Sequence, residues 1–262
     1  SCLTDREVVS MANFGTSMGM GLIVITFMSS LGYFNSAIIG FFGAMFGGVI
    51  ATRLMQFFTR KEFTAPTPEE LQAIQDESKK QLSFKSQGSV FERFLNAILD
   101  GGKTGVDLGL SIIPGVLIIS TFITIITFGP KDPVAGYQGL AGEGVPILTW
   151  LAGKIGFVFE YLFGFESPSL IAFPVTSLGS VGAALSLIPR FISEGILGGN
   201  EVAVFTAIGM CWSGFLSTYA AMFDSIGFRK LTSKALLAQT LGGICAGIFA
   251  HLLFLLISVI LS

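Results

Sequence analysis

Apolar residues in this chain gather into seven long runs, at 8–28, 36–58, 104–128, 147–163, 168–188, 201–223 and 235–261. Each is close to the roughly 20 residues that a helix needs to cross the hydrocarbon of a bilayer. The pattern therefore predicts an all-α integral membrane protein of about seven transmembrane helices. The first two runs are separated only by the uncharged turn 31–35, whereas 59–103 is markedly polar. Within it Thr67-Pro68-Glu69-Glu70 reads as a helix start, with Pro at the first helical position and acids in the first turn. Leu71, Ile74 and Leu82, then Val90, Phe91, Phe94, Leu95 and Ile98, mark a charged helix followed by an amphipathic one lying on the membrane surface. Three units follow: a helical hairpin at 1–58, a cytoplasmic or interfacial linker at 59–103, and a second helical unit at 104–262.

The first and last pairs of runs resemble each other. Glu7, Val8, Gly15, Leu22 and Met28 fall on Glu201, Val202, Gly209, Leu216 and Met222 at one constant offset. After a one-residue shift Gly32-Tyr33, Gly47, Gly48 and Ala51 fall on Gly227-Phe228, Gly242, Gly243 and Ala246. Inverted repeats of this kind build many secondary transporters. Runs three to five then lack a counterpart, which is expected either in a preceding N-terminal segment or in a partner subunit.

Composition agrees with the membrane reading. The chain is 52% hydrophobic and 12% charged, with 33 Gly and 26 Phe among 262 residues, more apolar surface than one soluble core can enclose. A net charge of -2 does not point to nucleic acid. The expected surroundings are the lipid bilayer, and the expected location is a cell membrane, the bacterial inner membrane, crossed several times. Arg53, Arg60, Lys61, Lys79, Lys80, Lys85, Arg93 and Lys103 cluster between runs two and three, which places that connection in the cytoplasm. Counting onward puts the bare turn 31–35 outside and the turn 225–234, with Arg229, Lys230 and Lys234, inside. If run five were re-entrant, that second turn would change sides.

Gly101-Gly102-Lys103-Thr104-Gly105-Val106-Asp107-Leu108, leading into Ile112-Ile113-Pro114-Gly115-Val116-Leu117, resembles the opening of the nucleoside-recognition, or Gate, domain. Tyr219 to Gly227, then Gln239-Thr240-Leu241-Gly242-Gly243 and Ala250-His251-Leu252-Leu253, is similar to the end of stand-alone membrane proteins of that family. Related domains occur in nucleoside transporters, ferrous-iron transport protein B and spore maturation proteins. The family has an acidic pair with Ser at the turn, where this chain has Asp224-Ser225 in reversed order. The resemblance implies a transporter-like membrane protein whose substrate its name does not identify.

Few residues are candidates for chemistry. Pro114 is expected to break run three, and Pro174 removes a backbone donor, so a helix across 173–179 is expected to kink or unwind, leaving Thr176, Ser177 and Ser180 as solute-binding hydroxyls beside freed backbone groups. A kinked helix using small residues for close packing is the competing reading. Asp107, Asp224 and His251 are candidates for ion or proton coupling, against interfacial hydration for the acids and simple packing for the histidine. Glu7 and Glu201 each begin a run, where a carboxylate caps a helix and favours its dipole.

Enzymatic chemistry has little support. Gly101-Gly102-Lys103-Thr104 imitates the tail of a phosphate-binding loop, but position 97 is Ala rather than the first Gly. One His and three unpaired-looking cysteines imply no metal site and no cofactor. Two functions stand: alternating-access movement of a small polar solute or ion, nucleoside-like solutes included, or a non-transporting subunit that scaffolds or gates a partner complex.

Overall fold

A computed structural model describes residues 4–63, 89–127, 129–130, 134–140, 143–154, 156–213 and 215–261. The expected helix start at 67–70 and the charged helix through Leu82 lie outside them. The described chain is helical, without a β-strand. It begins with α1 (Asp5–Met18), α2 (Gly21–Ser30) and α3 (Phe34–Phe58). Next come α4 (Val90–Thr127), α5 (Ile147–Lys154) and α6 (Gly156–Phe163). A 3-10 turn at Pro168–Ile171 leads into α7 (Ala172–Gly179), α8 (Val181–Leu185) and α9 (Ile188–Ser193). The chain closes with α10 (Gly199–Cys211), α11 (Phe215–Ser225) and α12 (Thr232–Leu261).

Among the described residues three stretches are long and apolar enough to cross a membrane: Asp5–Ser30 with 26 residues, Phe34–Phe58 with 25 and Arg229–Ile260 with 32. These include runs one, two and seven of the sequence pattern. Together they identify a membrane protein.

Two expected boundaries shift. Helix α4 continues from Val90 to Thr127 without interruption, so the division expected at 103/104 falls inside one helix. Pro114 lies within α4 and does not end it. A proline deletes one hydrogen bond, whereas ending the helix in an apolar medium would expose several unpaired backbone groups.

The chain ends fix relative directions. Arg6 Nη2 donates to the Gln56 carbonyl at 2.8 Å, and Lys234 Nζ donates to the Phe58 carbonyl at 3.2 Å and pairs with Glu62. The start of α1, the end of α3 and the start of α12 therefore share one end. At the other, Tyr33 OH reaches the Leu197 carbonyl at 3.4 Å, and a Cβ at Gly199 would lie 3.0 Å from Ser36 Oγ. Arg60 and Lys61 thus share an end with Arg229, Lys230 and Lys234, whatever course 168–193 takes between them. Gly32 and Gly227, at φ 89° and 80°, make the turns into α3 and into the 3-10 turn preceding α12.

Helix α3 packs along α12 on small residues. A Cβ on Gly242 would lie 2.7 Å from both the Gly47 carbonyl oxygen and Ala51 Cβ, while Gly47 faces the Gly242 carbonyl and Ala246. Beside this seam Phe46 stacks on Phe249 with ring centres 4.3 Å apart. Helix α10 is enclosed on every side, its residues from Val202 to Cys211 all buried.

Both expected carboxylate caps are present. Glu7 accepts from the Thr4 amide at 2.8 Å, and Glu201 accepts from the Gly198 amide at 2.8 Å. Replacing Glu201 by Ala frees the Gly198 amide and removes a favourable charge at the start of the central helix. The expected loss is about 1 kcal/mol. A thermal melt of the detergent-solubilised protein that is unchanged by Glu201→Ala would contradict it.

Candidate functional site

Three interruptions of helical structure meet around one turn of α10. Between α1 and α2 the helix breaks at Gly19-Met20, and a Cβ on the next residue, Gly21, would lie 2.8 Å from Met210 Cε. Between α7 and α8 Ser180 takes an extended conformation. On its two sides Phe173 and Val181 come within 3.3 and 3.2 Å of where a Gly209 Cβ would stand. The third interruption follows Cys211, where α10 itself ends. The stretch Gly209–Cys211 is therefore where broken elements from three parts of the chain come together.

A buried polar seam lies beside these breaks. Asn13 and Ser17, one turn apart on α1, and Gln239 of α12 are all fully enclosed. Asn13 Nδ2 donates to the Ala235 carbonyl at 3.1 Å. Gln239 Nε2 donates to Ser17 Oγ at 2.7 Å and to the Cys211 carbonyl at 2.8 Å. Ser17 Oγ in turn donates to the Asn13 carbonyl at 3.1 Å. Nearby, Thr16 and Tyr219 join hydroxyl to hydroxyl, and Trp212 Nε1 donates to the Gln239 carbonyl at 3.2 Å. Backbone carbonyls only accept, so they fix the orientation of both amides with nitrogen towards the carbonyl. Asn13 Oδ1 and Gln239 Oε1 are left buried without a hydrogen-bond partner among the described residues.

The residues singled out in the sequence are not gathered at one place. Pro174 lies in the first turn of α7, where a missing amide costs no intrahelical bond. The break accordingly comes at Ser180 and not across 173–179. Ser177 Oγ donates to the Pro174 carbonyl at 2.6 Å, and Ser180 Oγ caps α8 by accepting from the Ala183 amide at 3.4 Å. Thr176 Oγ1 is buried and has no partner among the described residues. Thr176 and Ser177 line neither of the cavities described below.

The coupling candidates are not brought together. Asp107 is exposed on α4. Asp224 is exposed at the basic end and lies 3.6 Å from Arg229. His251 is at the opposite end of the bundle, where its Nδ1 lies 2.7 Å from Asn200 Oδ1. Asn200 Nδ2 donates to the Phe163 carbonyl at 2.9 Å, so its oxygen faces the ring and Nδ1 carries the proton. This pair borders a cavity of about 680 Å³, also lined by Ser167, Glu166, Glu201 and Phe254. A smaller one of about 200 Å³ lies against Glu160, Phe165 and Pro168. Among the described residues no group of three or more His, Cys, Asp or Glu side chains is placed to hold a metal ion.

Asn13 and Ser17 escaped the sequence reading, and Gln239 entered it only as part of the Gate-like motif. The signal was an amide and a hydroxyl at i, i+4 inside one apolar run, with a third polar residue near the start of another. Comparison with protein-family models, with curated proteins and with solved structures finds no match.

Proposed function

We propose that this protein is a transporter-like membrane protein of inverted-repeat construction, with 7–54 and 201–252 as the two copies. Its work would be to move a small polar solute or ion by alternating access. The observation that carries this reading is the approach of α1 and α10 from opposite ends, both stopping beside the buried seam of Asn13, Ser17 and Gln239. Interrupted helices that expose polar groups in the middle of a bundle are how secondary transporters build solute sites. Interior polar groups otherwise burden a helix bundle without strengthening it much. The matched glycine turns at Gly32 and Gly227 support the repeat, as do the paired contacts of Gly47 with Gly242. The resemblance to Gate-domain membrane proteins supports the same class and leaves nucleoside-like solutes among the candidates. The shared basic end, with Arg60 and Arg229, is read as cytoplasmic.

Uptake of a panel of labelled solutes into proteoliposomes tests the proposal, with Thr176→Val as the informative variant. The Thr176 hydroxyl bonds to no group among the described residues, so removing it should leave the melting temperature unchanged or raise it. If it hydrogen-bonds the solute, uptake should fall about tenfold, the factor expected from one lost hydrogen bond. Ser177→Ala, whose hydroxyl is already bonded to Pro174, should have the smaller effect. The enclosure of Thr176 and Ser177 away from both described cavities favours a second reading, a non-transporting subunit that scaffolds a partner complex. Absence of uptake for every solute in the panel would decide for it.

A further inference from the structure

The seam between α1, α10 and α12 is chemically one-sided. Gln239 Nε2 commits both of its N–H groups, to Ser17 Oγ and to the Cys211 carbonyl, and Asn13 Nδ2 gives one of its two to the Ala235 carbonyl. The seam atoms left without any partner among the described residues are both oxygens, Asn13 Oδ1 and Gln239 Oε1, on fully enclosed side chains. Rotating either amide would set an NH₂ group free and point its oxygen at a backbone carbonyl, so the surplus is built in. A buried unmatched acceptor carries the full desolvation penalty of that group. Two of them in one closely packed seam, where Ser17 bridges Gln239 to the Asn13 carbonyl, call for an electropositive ligand.

The backbone adds to this potential. Helix α1 ends at Met18 and α10 at Cys211, so Ser17 and the Cys211 carbonyl belong to the last turns of two helices that approach from opposite ends. Helix C-termini carry partial negative charge, and unwound segments beside such ends coordinate cations in transporters. No carboxylate or imidazole is among the seam's bonded groups. Divalent ions draw on carboxylates, whereas neutral carbonyl and hydroxyl oxygens suit a singly charged ion.

We propose that Asn13 Oδ1 and Gln239 Oε1 are ligands for a dehydrated monovalent cation of the alkali class, held between α1, α10 and α12. None of Asp107, Asp224 and His251 is among the seam's hydrogen-bonded groups. The proposal depends on equilibrium binding alone and holds whether or not the protein moves a solute. Melting temperatures of the full, detergent-solubilised chain are compared in NaCl, KCl and choline chloride at equal ionic strength. Sodium or potassium should raise the midpoint saturably by about 2–4 °C over choline. Asn13→Leu and Gln239→Leu should each abolish that rise. Equilibrium binding of radioactive Na⁺ to the unmodified protein, displaced by unlabelled sodium but not by choline, provides the same answer if either variant fails to fold. Equal midpoints in all three salts, as a seam occupied by water would give, overturn the proposal. So does a sodium or potassium effect that survives both substitutions, or the absence of displaceable Na⁺ binding.

Discussion

Replacing Gly47 by Val is expected to force α12 away from α3 and to destabilise the protein by about 3 kcal/mol. In the α3–α12 seam even a Cβ at position 47 would press on the Gly242 carbonyl and on Ala246. A carbonyl oxygen in a helix cannot rotate aside as a flexible side chain can. Lipid tails are as apolar as leucine, so association of these helices depends on close packing and not on escape from water. Separating them by even an ångström forfeits much of the dispersion attraction along the seam. Gly242→Val should cost a similar amount, because its Cβ would lie 2.7 Å from the Gly47 carbonyl oxygen and from Ala51 Cβ. Gly101→Ala, on α4 where a Cβ meets nothing within 4 Å, should be neutral or slightly stabilising. Thermal unfolding in detergent reads all three. A Gly47→Val midpoint equal to that of the unmodified protein would show that the seam is not closed as described.

Phe205→Ala should be comparably severe, at about 3 kcal/mol. The Phe205 ring is fully buried in α10 and stacks on Phe173 at 4.2 Å, with Phe165 edge-on at 5.4 Å and Phe191 at 5.9 Å. Truncation leaves a void bounded by three rings, those of Phe165, Phe173 and Phe191. Because the denatured chain in detergent still offers apolar surroundings, the cost comes mainly from that cavity and from lost ring contacts, less from transfer to water. Phe205→Leu should recover roughly half of it, since Leu refills part of the volume. If Phe205→Ala melts within a degree of the unmodified protein, the aromatic cluster does not hold α7 against α10.

Much of the helical hairpin architecture was legible in the amino-acid order. Glu7 and Glu201 announced two helix starts, and both carboxylates cap. The glycines at 32 and 227 marked two turns, and both adopt positive φ. Position 114 misled, because proline signals a broken helix in water more reliably than in an apolar medium, where leaving the helix costs more than one bond. Position 174 misled differently. Its ring falls in the first turn of α7, so the interruption moved to Ser180, whose hydroxyl then served as a cap. Asn13 drew no reading and Gln239 only one within a motif; the seam that joins their helices depends on a contact across 222 residues between Ser17 and Gln239.

By themselves, the residues determined the class of protein, the long apolar helices, their caps and turns, and the small-residue faces at Gly47 and Gly242. Each of these follows from local backbone preference or from transfer between water and an apolar phase. Tertiary structure alone decided that α10 is enclosed by protein, while Leu252, Leu255 and Leu256 near the end of α12 remain exposed. Hydropathy cannot separate the two, because lipid and a protein interior are almost equally apolar. It also decided that three breaks meet at Gly209–Cys211 and that two amides turn their nitrogens to backbone carbonyls and leave their oxygens unmatched. Hydrogen bonding is directional and reaches only about 3 Å, so which polar groups are satisfied is settled by where the helices finally stop.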